Sequence, residues 1–354
     1  MRNLIILIVS VLAILVSCGK DDNNLPTDDN PNDTSKTDTN KTDTSTNNTT
    51  IKGTVITYAG STKGLEDGSN LDAKFQFPYG LYSNDKYLFV THAGNFDVIK
   101  KTTPFVIRKV DLTSENVSTL ITIGDKLYDN ANEDKAKASS MVIIGDTIYM
   151  ALAHRFYAIN TEDGVHRSTA LSSTTDSYGK LFIHENRVYA VHKDKSVFEI
   201  NLGTGNKNLA YTIAESAISP SHTIQDVTKI GSKLYLSTHS QEYELWELNI
   251  TDQSVTKIAQ QTEAGVYGYG FDKITNDGEH IYYSSTGRNG ATYVLGKILV
   301  ADKQNVLYAK KNKGYNDGTL EEAEFDSPTD GTYSNGSLYI IEAGNLKIRK
   351  ISFE

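Results

Sequence analysis

Histidine and tyrosine side chains recur at the ends of short apolar segments along this chain. The histidines lie where a strand-like segment stops or in the loop beside it: His92, His154, His192, His222 and His239. Tyrosines mark other loops of this kind: Tyr178, Tyr267 and Tyr269. Converging imidazoles and carboxylates bind divalent metals, and aromatic rings with polar tips suit sugar faces and peptide partners. Since no His-x-x-x-His spacing occurs, each single histidine is more simply explained by local backbone contacts, and the whole set predicts a recognition surface.

Sequence signatures of the common enzyme classes are absent from the chain. Gly-x-Ser-x-Gly, Walker-type Gly-Lys-Ser/Thr and His-Glu-x-x-His do not occur. The glycines of residues 265–270 are spaced suggestively, but they precede a strand and not a helix, so they do not form a dinucleotide loop. Cys18 is the only cysteine, which excludes disulfides and thiol catalysis in the rest of the chain. We therefore expect no catalytic residue.

One stretch near the start of the folded part returns near the end. Residues 64–78 share their glycine, Asp-Gly, Ala-x-Phe and proline positions with residues 314–328, 250 residues later. The match continues in two further pairs of segments: Ala93-Gly94-Asn95 with Ala343-Gly344-Asn345, and Ile107-Arg108-Lys109 with Ile348-Arg349-Lys350. Asp-Gly favours turns, and the alternating residues after each proline predict strands. The chain is therefore built from repeats.

These features together resemble the NHL repeat, which forms a blade of a β-propeller. The full motif covers only the first and last units, and the middle of the chain keeps the strand rhythm alone. The resemblance implies an all-β, six-bladed β-propeller over residues 51–354. NHL propellers include binding scaffolds as well as a few enzymes, so the resemblance leaves the function open.

Six pairs of an apolar and an aromatic residue mark the second strands of six blades: Leu88-Phe89, Ile148-Tyr149, Val188-Tyr189, Leu234-Tyr235, Ile281-Tyr282 and Leu338-Tyr339. The last unit ends before a fourth strand, whereas Thr54–Tyr58 stand alone at the start. We expect this N-terminal strand to complete the sixth blade, because closing the ring removes the exposed faces that stacked repeats leave. Residues 124–140 are predicted to be a long loop with a helical turn. In such a ring one rim gathers the loops that lead into the first strands and those that join the second and third strands.

The first 17 residues are predicted to be a signal peptide. Arg2 precedes an apolar run of about 13 residues, which is too short to span a bilayer comfortably and fits a secretory segment. Residues 15–19, Leu-Val-Ser-Cys-Gly, resemble the bacterial lipobox, which implies cleavage before Cys18 and acylation of its sulfur and new amine. The alternative is an uncleaved anchor with an incidental cysteine. Several acyl chains would attach the protein to a membrane without a transmembrane helix.

Residues 18–50 are predicted to be a disordered tether. They are rich in Asn, Thr and Asp, contain no aromatic residue and include one large aliphatic residue, Leu25, so they cannot offset their ordering entropy. Lys20-Asp21-Asp22 resembles the lipoprotein export signal of Bacteroidetes, which implies the outer membrane and the cell surface. Alternatively, these charges begin a solvated linker. The net charge of −9 disfavours a nucleic-acid partner.

Three classes of function stay open at this point. The first, which we favour, is a monomeric, non-enzymatic module that binds a glycan, a peptide or a partner protein and needs no cofactor. The second resembles the six-bladed lactonase and lyase propellers, which implies a divalent metal such as Ca²⁺ on the axis, with Asp226, Asp330 and His184 as candidate ligands. The third is a structural subunit of an assembly, which an apolar patch on one rim would indicate.

Overall fold

The fold is seen in a computed structural model of the chain, which describes residues 51–92, 104–123, 138–152, 155–170, 179–239, 243–261, 270–286 and 292–354. These residues form 26 strands and no helix, and the part described therefore includes no helix able to cross a membrane. The strands make six antiparallel sheets of four or five strands. The prediction of an all-β, six-bladed propeller is confirmed.

The strands follow one another blade by blade along the chain. The first strand is β1 (Gly53–Ala59), and the first blade contains β2 (Gly68–Ser69), β3 (Pro78–Ser83), β4 (Tyr87–His92), β5 (Phe105–Asp111) and β6 (Asn116–Ile123). The second blade contains β7 (Ala138–Ile144), β8 (Thr147–Leu152), β9 (Arg155–Asn160) and β10 (His166–Ala170). The third contains β11 (Lys180–His184), β12 (Arg187–Val191), β13 (Ser196–Ile200) and β14 (Lys207–Thr212).

The remaining blades repeat this order. The fourth contains β15 (Thr223–Ile230), β16 (Lys233–His239), β17 (Tyr243–Asn249) and β18 (Val255–Gln261). The fifth contains β19 (Lys273–Asn276), β20 (His280–Thr286), β21 (Thr292–Leu299) and β22 (Gln304–Asn312). The sixth contains β23 (Gly318–Thr319), β24 (Pro328–Ser334), β25 (Ser337–Glu342) and β26 (Lys347–Phe353).

The N-terminal strand β1 completes the sixth blade, as the repeat predicts. It pairs with β26, with Val55 opposite Ile351. Asp317 accepts hydrogen bonds from the backbone N–H and the hydroxyl of Thr57, at 2.9 and 3.1 Å. In the first blade the equivalent Asp67 accepts one from the hydroxyl of Thr119, at 3.0 Å. β1 therefore takes the place that β6 has in the first blade, and the two ends of the chain close the ring.

The hydrophobic core is divided among the six interfaces between neighbouring blades. In the interface that joins the sixth blade to the first, Tyr339 and Ile341 pack with Leu81 and Leu88. Five further clusters occupy the other five interfaces. Because each sheet is covered on both faces by its neighbours, its strands carry apolar side chains on both faces. Each blade therefore holds the next one in place around the axis.

The repeated Asp, Phe and Arg residues form one structural unit in each of the two end blades. Arg108 is fully buried and its guanidinium lies 2.7 Å from a carboxylate oxygen of Asp67. It also donates to the carbonyl oxygens of Glu66 and Lys74, and its Cζ lies 5.9 Å from the ring centre of Phe75. The repeat is kept because it ties an outer loop to the third strand.

The last blade contains the same unit. Arg349 binds Asp317 at 2.6 Å and donates to the carbonyl oxygens of Asn316 and Glu324. Its Cζ lies 5.1 Å from the ring centre of Phe325. Both phenylalanines are buried.

The predicted loop over residues 124–140 is wrong at its C-terminal end. Residues 138–140 belong to β7, the first strand of the second blade, and residues 124–137 lie outside the described part of the chain. The pairing of β7 with β8 shifts between Ala138 and Ser140. This bulge interrupts the alternation by which a strand is recognised in a sequence.

Candidate functional site

The first strands of the six blades surround a channel on the axis of the ring. These strands are β3, β7, β11, β15, β19 and β24. They line a cavity of about 350 Å³, which lies within the size range of small-molecule sites. Residues of all six blades line the cavity, so its side chains define the first candidate site.

One level of the channel collects equivalent residues from every blade. They are defined by their partners on the second strands: Gly80 opposite Thr91, Ser140 opposite Ala151, Lys180 opposite Val191, Asp226 opposite Ser237, Lys273 opposite Ser284, and Asp330 opposite Ile341. We call these six residues the axial ring. Their spacing is constant in the sequence, because each lies eight residues before the first member of its blade's apolar-aromatic pair.

The axial ring has alternating charge over four consecutive blades. Lys180, Asp226, Lys273 and Asp330 follow one another from the third blade to the sixth, so their formal charges cancel. The ammonium of Lys180 lies 3.7 Å from a carboxylate oxygen of Asp226. In the first blade the ring residue is glycine, and a Cβ there would meet the ring of Tyr82 at 2.9 Å. The phenol of Tyr82 therefore occupies the space beside Gly80.

Both carboxylates of the axial ring are bound to backbone N–H groups. Asp226 accepts a hydrogen bond from the N–H of Ile274 in the next blade at 3.1 Å. Asp330 accepts one from the N–H of Leu81 in the next blade and one from Gly331, both at 3.0 Å. These contacts link the fourth blade to the fifth and the sixth blade to the first. The two carboxylates therefore have a structural role without any ligand.

Burial and charge act in opposite directions on the basic groups of the axial ring. Burial and repulsion by Lys273 lower the pKa of Lys180, although Asp226 partly offsets them. Burial alone would lower the pKa of Lys273, but the carboxylates of Asp330 and Asp226 outweigh it and raise that pKa above its ordinary value. Lys273 is therefore held firmly in its charged form.

The acidic groups of the ring respond to the same burial. Burial raises the pKa of Asp330, against the attraction of Lys273. Burial, followed by the charge of Asp330, raises the pKa of the Tyr82 phenol, which is therefore a neutral hydrogen-bond donor.

The structure does not bring together the three candidate metal ligands Asp226, Asp330 and His184. His184 ends β11, four residues beyond Lys180, and at the usual rise of a strand this places it about 13 Å from the axial ring. There it lies 3.9 Å from Glu185 and beside Tyr189. Among the described residues no group of three or more His, Cys, Asp or Glu side chains could hold a metal ion.

His92, which the sequence places on the recognition surface, lies in the core. It is 2% exposed, its ring lies 5.7 Å from that of Phe75, and its Nδ1 lies 2.7 Å from the carbonyl oxygen of Gln76. Burial lowers the pKa of His92 to about 4, partly offset by the hydrogen bond to Gln76. This histidine therefore supports the turn before β3 and does not face a ligand.

Three other histidines lie at one rim, in the third and fourth blades. We call this the front rim: the end of the ring where the first strands begin and the second strands end. His192 directly follows β12 and its ring lies 5.2 Å from that of Phe198. His222 directly precedes β15, and His239 ends β16. His154, Tyr178, Tyr267 and Tyr269 lie outside the described residues.

The fourth blade gathers aromatic and charged side chains at this rim. His239 stacks on Tyr243, with ring centres 4.6 Å apart and an angle of 22°. His222 Nε2 lies 2.9 Å from Glu244 Oε2, and Glu244 Oε1 binds the Lys257 ammonium at 2.9 Å. We call His222, His239, Tyr243, Glu244 and Lys257 the rim cluster.

Sequence reasoning missed Lys180, Lys273 and Tyr82 in the channel and Glu244 in the rim cluster. The lysines begin their strands, where a charged residue is ordinarily a solvated strand end. The signal that could have identified them is the constant spacing of eight residues to the apolar-aromatic pair. Glu244 carries no such signal, because its contact with His222 depends on the pairing of β16 with β17.

No family model matches the chain, and no curated protein matches it. Solved structures do. A structural genomics protein of unknown function from Bacteroides thetaiotaomicron is 18% identical, with 86% of this chain and 76% of that chain covered and a TM-score of 0.62.

Two further structures are similar over most of the chain. The WD40 repeats of RRP9 give a TM-score of 0.56 at 10% identity, with 86% of this chain and 100% of that chain covered. U3-55K gives a TM-score of 0.52 at 9% identity, with 82% and 99% covered. At these identities the likeness concerns the fold alone. Together with the ring of six sheets, this likeness shows that the chain is a six-bladed β-propeller.

Proposed function

We propose that this protein is a lipid-anchored, surface-exposed binding module, not an enzyme, and that it recognises a partner protein through the rim cluster. The observation that carries the proposal is the stack of His239 on Tyr243 beside Glu244, which lies 2.9 Å from both His222 and Lys257. Aromatic rings with polar tips are enriched at protein interfaces. The β-propeller also commonly serves as a scaffold for protein interactions.

The rim cluster is ordered by the fold before any partner arrives. Glu244 is 3% exposed, its Oε2 lies 2.9 Å from His222 Nε2, and its Oε1 accepts a hydrogen bond from the Lys257 ammonium. Tyr243 lies against Gly270, where a Cβ would overlap the Tyr243 ring. A preformed surface of this kind loses little conformational entropy on binding.

A site-specific photocrosslinker tests the partner surface. We would replace Tyr243 with p-benzoylphenylalanine in cells of the native host and, as a control, replace Glu185 in the opposite hairpin of the third blade. We expect a discrete protein adduct from position 243 only, and its loss when Lys257→Ala is added. Adducts from position 185 alone, or from neither position, would contradict the proposal.

A glycan array separates a protein partner from a sugar partner. Binding of the purified chain to one glycan class, lost in Tyr243→Ala, would replace the protein proposal with a glycan-binding one. Tyr267→Ala and Tyr178→Ala test the same surface at the two tyrosines that the sequence places there.

The proposed anchor is supported by the signal segment, Cys18 and the tether of residues 18–50. Metabolic labelling with palmitate and membrane fractionation should place the protein in the outer membrane, and Cys18→Ala should release it. Protease added to intact cells should remove the propeller while a periplasmic marker survives. Labelled protein that resists protease would keep the anchor and overturn the surface position.

A further inference from the structure

The side chains of the axial ring differ in whether they already form hydrogen bonds with other residues of the chain. Asp226 and Asp330 already accept backbone N–H groups from neighbouring strands. Within the described part of the chain, the Lys273 side chain makes no hydrogen bond and its ammonium has no carboxylate within 4.0 Å. Its ammonium lies 5.5 Å from the ring of Tyr79. Lys273 also lines the cavity.

Two hydroxyl groups in the same cavity also form no hydrogen bond within the described part of the chain. The Tyr82 hydroxyl and the Ser140 hydroxyl both line the channel, and neither has a hydrogen-bond partner among the described residues. Ser140 in the second blade lies across the axis from Lys273 in the fifth. Both hydroxyl-bearing residues and Lys273 therefore line one and the same cavity.

The next level of the channel is divided into an apolar and a hydroxylated half. Two residues beyond the axial ring, the six strands place Tyr82, Val142, Phe182, Thr228, Thr275 and Thr332 around the cavity. Blades one to three thus present aromatic and aliphatic groups, and blades four to six present threonines. A ligand with one apolar face and several hydroxyls fits such a lining.

From this arrangement we propose that the axial ring binds the carboxylate of a small hydroxylated acid, of about the size of a single sugar acid, whose body occupies the level below. The carboxylate takes hydrogen bonds from Lys273, Lys180, Tyr82 and Ser140. A single negative charge suits the ring, because a dianion such as phosphate would meet the two fixed carboxylates of Asp226 and Asp330. An amine would be repelled by the ammonium groups of Lys273 and Lys180.

Calorimetric titration of the full chain with glucuronate, glucose and phosphate tests the proposal. We expect glucuronate to bind at least tenfold more tightly than either glucose or phosphate, and its affinity to fall as salt is raised. Equal binding of glucose and glucuronate, tighter binding of phosphate, or no binding of glucuronate would each overturn it.

Variants identify the donors. Lys273→Met should weaken glucuronate binding roughly tenfold or more, since a hydrogen bond to a charged group is lost. Lys52→Met is the matched control, because Lys52 is exposed and does not line the cavity, and it should bind as the wild type does. Tyr82→Phe and Ser140→Ala change no charge, so they test the site even if Lys273→Met fails to fold. Unchanged affinity in both would contradict the proposal. The rim crosslinks do not depend on any of these outcomes.

Discussion

His92 in the first blade and Glu342 in the last blade occupy equivalent positions, 250 residues apart, and each binds the backbone of the residue 16 places before it. His92 contacts the carbonyl oxygen of Gln76 at 2.7 Å. Glu342 accepts a hydrogen bond from the N–H of Asp326 at 2.6 Å. A base and an acid thus support the same turn, because that turn offers both a carbonyl oxygen and an N–H group.

Burial drives both groups toward their neutral forms, and this has opposite consequences for stability. Burial raises the pKa of Glu342 to about 7, although Arg349 partly offsets it, and burial lowers the pKa of His92 to about 4. At a pH between the ordinary pKa of Glu342 and its raised value, the folded chain keeps a proton on Glu342 that the unfolded chain has lost. At His92 the unfolded chain binds the proton instead.

The first prediction concerns Glu342→Gln. The carboxyl of the wild type makes the free energy of unfolding fall as pH rises from about 4.5 to about 7, by an amount on the order of 3 kcal/mol at most. Gln keeps an acceptor for the Asp326 N–H and removes the proton equilibrium. Urea unfolding from pH 4.5 to 8 should therefore give a difference between variant and wild type that favours the variant increasingly toward pH 7. A difference that does not change with pH would refute the assignment.

The second prediction concerns His92→Asn, whose amide can still donate to the Gln76 carbonyl. In the wild type, stability from the neutral imidazole is fully present above about pH 6.5 and is lost as pH falls toward 4. The variant should be less stable at pH 7, because it leaves a cavity, but its deficit should shrink on acidification. Unfolding curves at pH 7 and pH 4.5 check this, and a constant deficit would count against it.

The third prediction compares Arg349→Met with Arg108→Met. Both arginines are fully buried, but Arg349 pairs with the fully buried Glu342 as well as with Asp317. The partner of Arg108 is Asp67, whose side chain is 53% exposed and is solvated by water when the arginine is removed. At pH 8, above the pKa of Glu342, Arg349→Met should cost about 3–5 kcal/mol because it leaves a buried carboxylate without its counter-charge, and Arg108→Met should cost less. Urea midpoints give both values, and a larger loss for Arg108→Met would overturn the argument.

The fourth prediction concerns the closing strand β1. Val55 is fully buried between the fifth and sixth blades, whereas its neighbour Ile56 is 49% exposed. Val55→Ala should lower the free energy of unfolding by about 2 kcal/mol. Ile56→Ala, the control on the same strand, should change it by less than about 1 kcal/mol. Equal losses from the two substitutions would mean that β1 does not close the ring in solution.

The fold was readable from the sequence because repetition and periodicity are local properties. The apolar-aromatic pairs mark six second strands, and the missing fourth strand of the last unit together with the unattached Thr54–Tyr58 dictates the closure. A repeat that buries both faces of its sheet needs a neighbour on each side. The first and last units therefore have to meet, and the six units form a ring.

Which polar residues meet was decided only by the tertiary structure. The bulge before Asp226 and Asp330 shifts the register of their strands, and a one-residue shift moves a side chain to the other face. The resemblance to the lactonase and lyase propellers therefore groups His184 with the two aspartates and leaves out Lys273. The constant spacing of eight residues was present in the sequence, but a spacing becomes a ring of charges only when six strands, far apart in the chain, are brought around one axis.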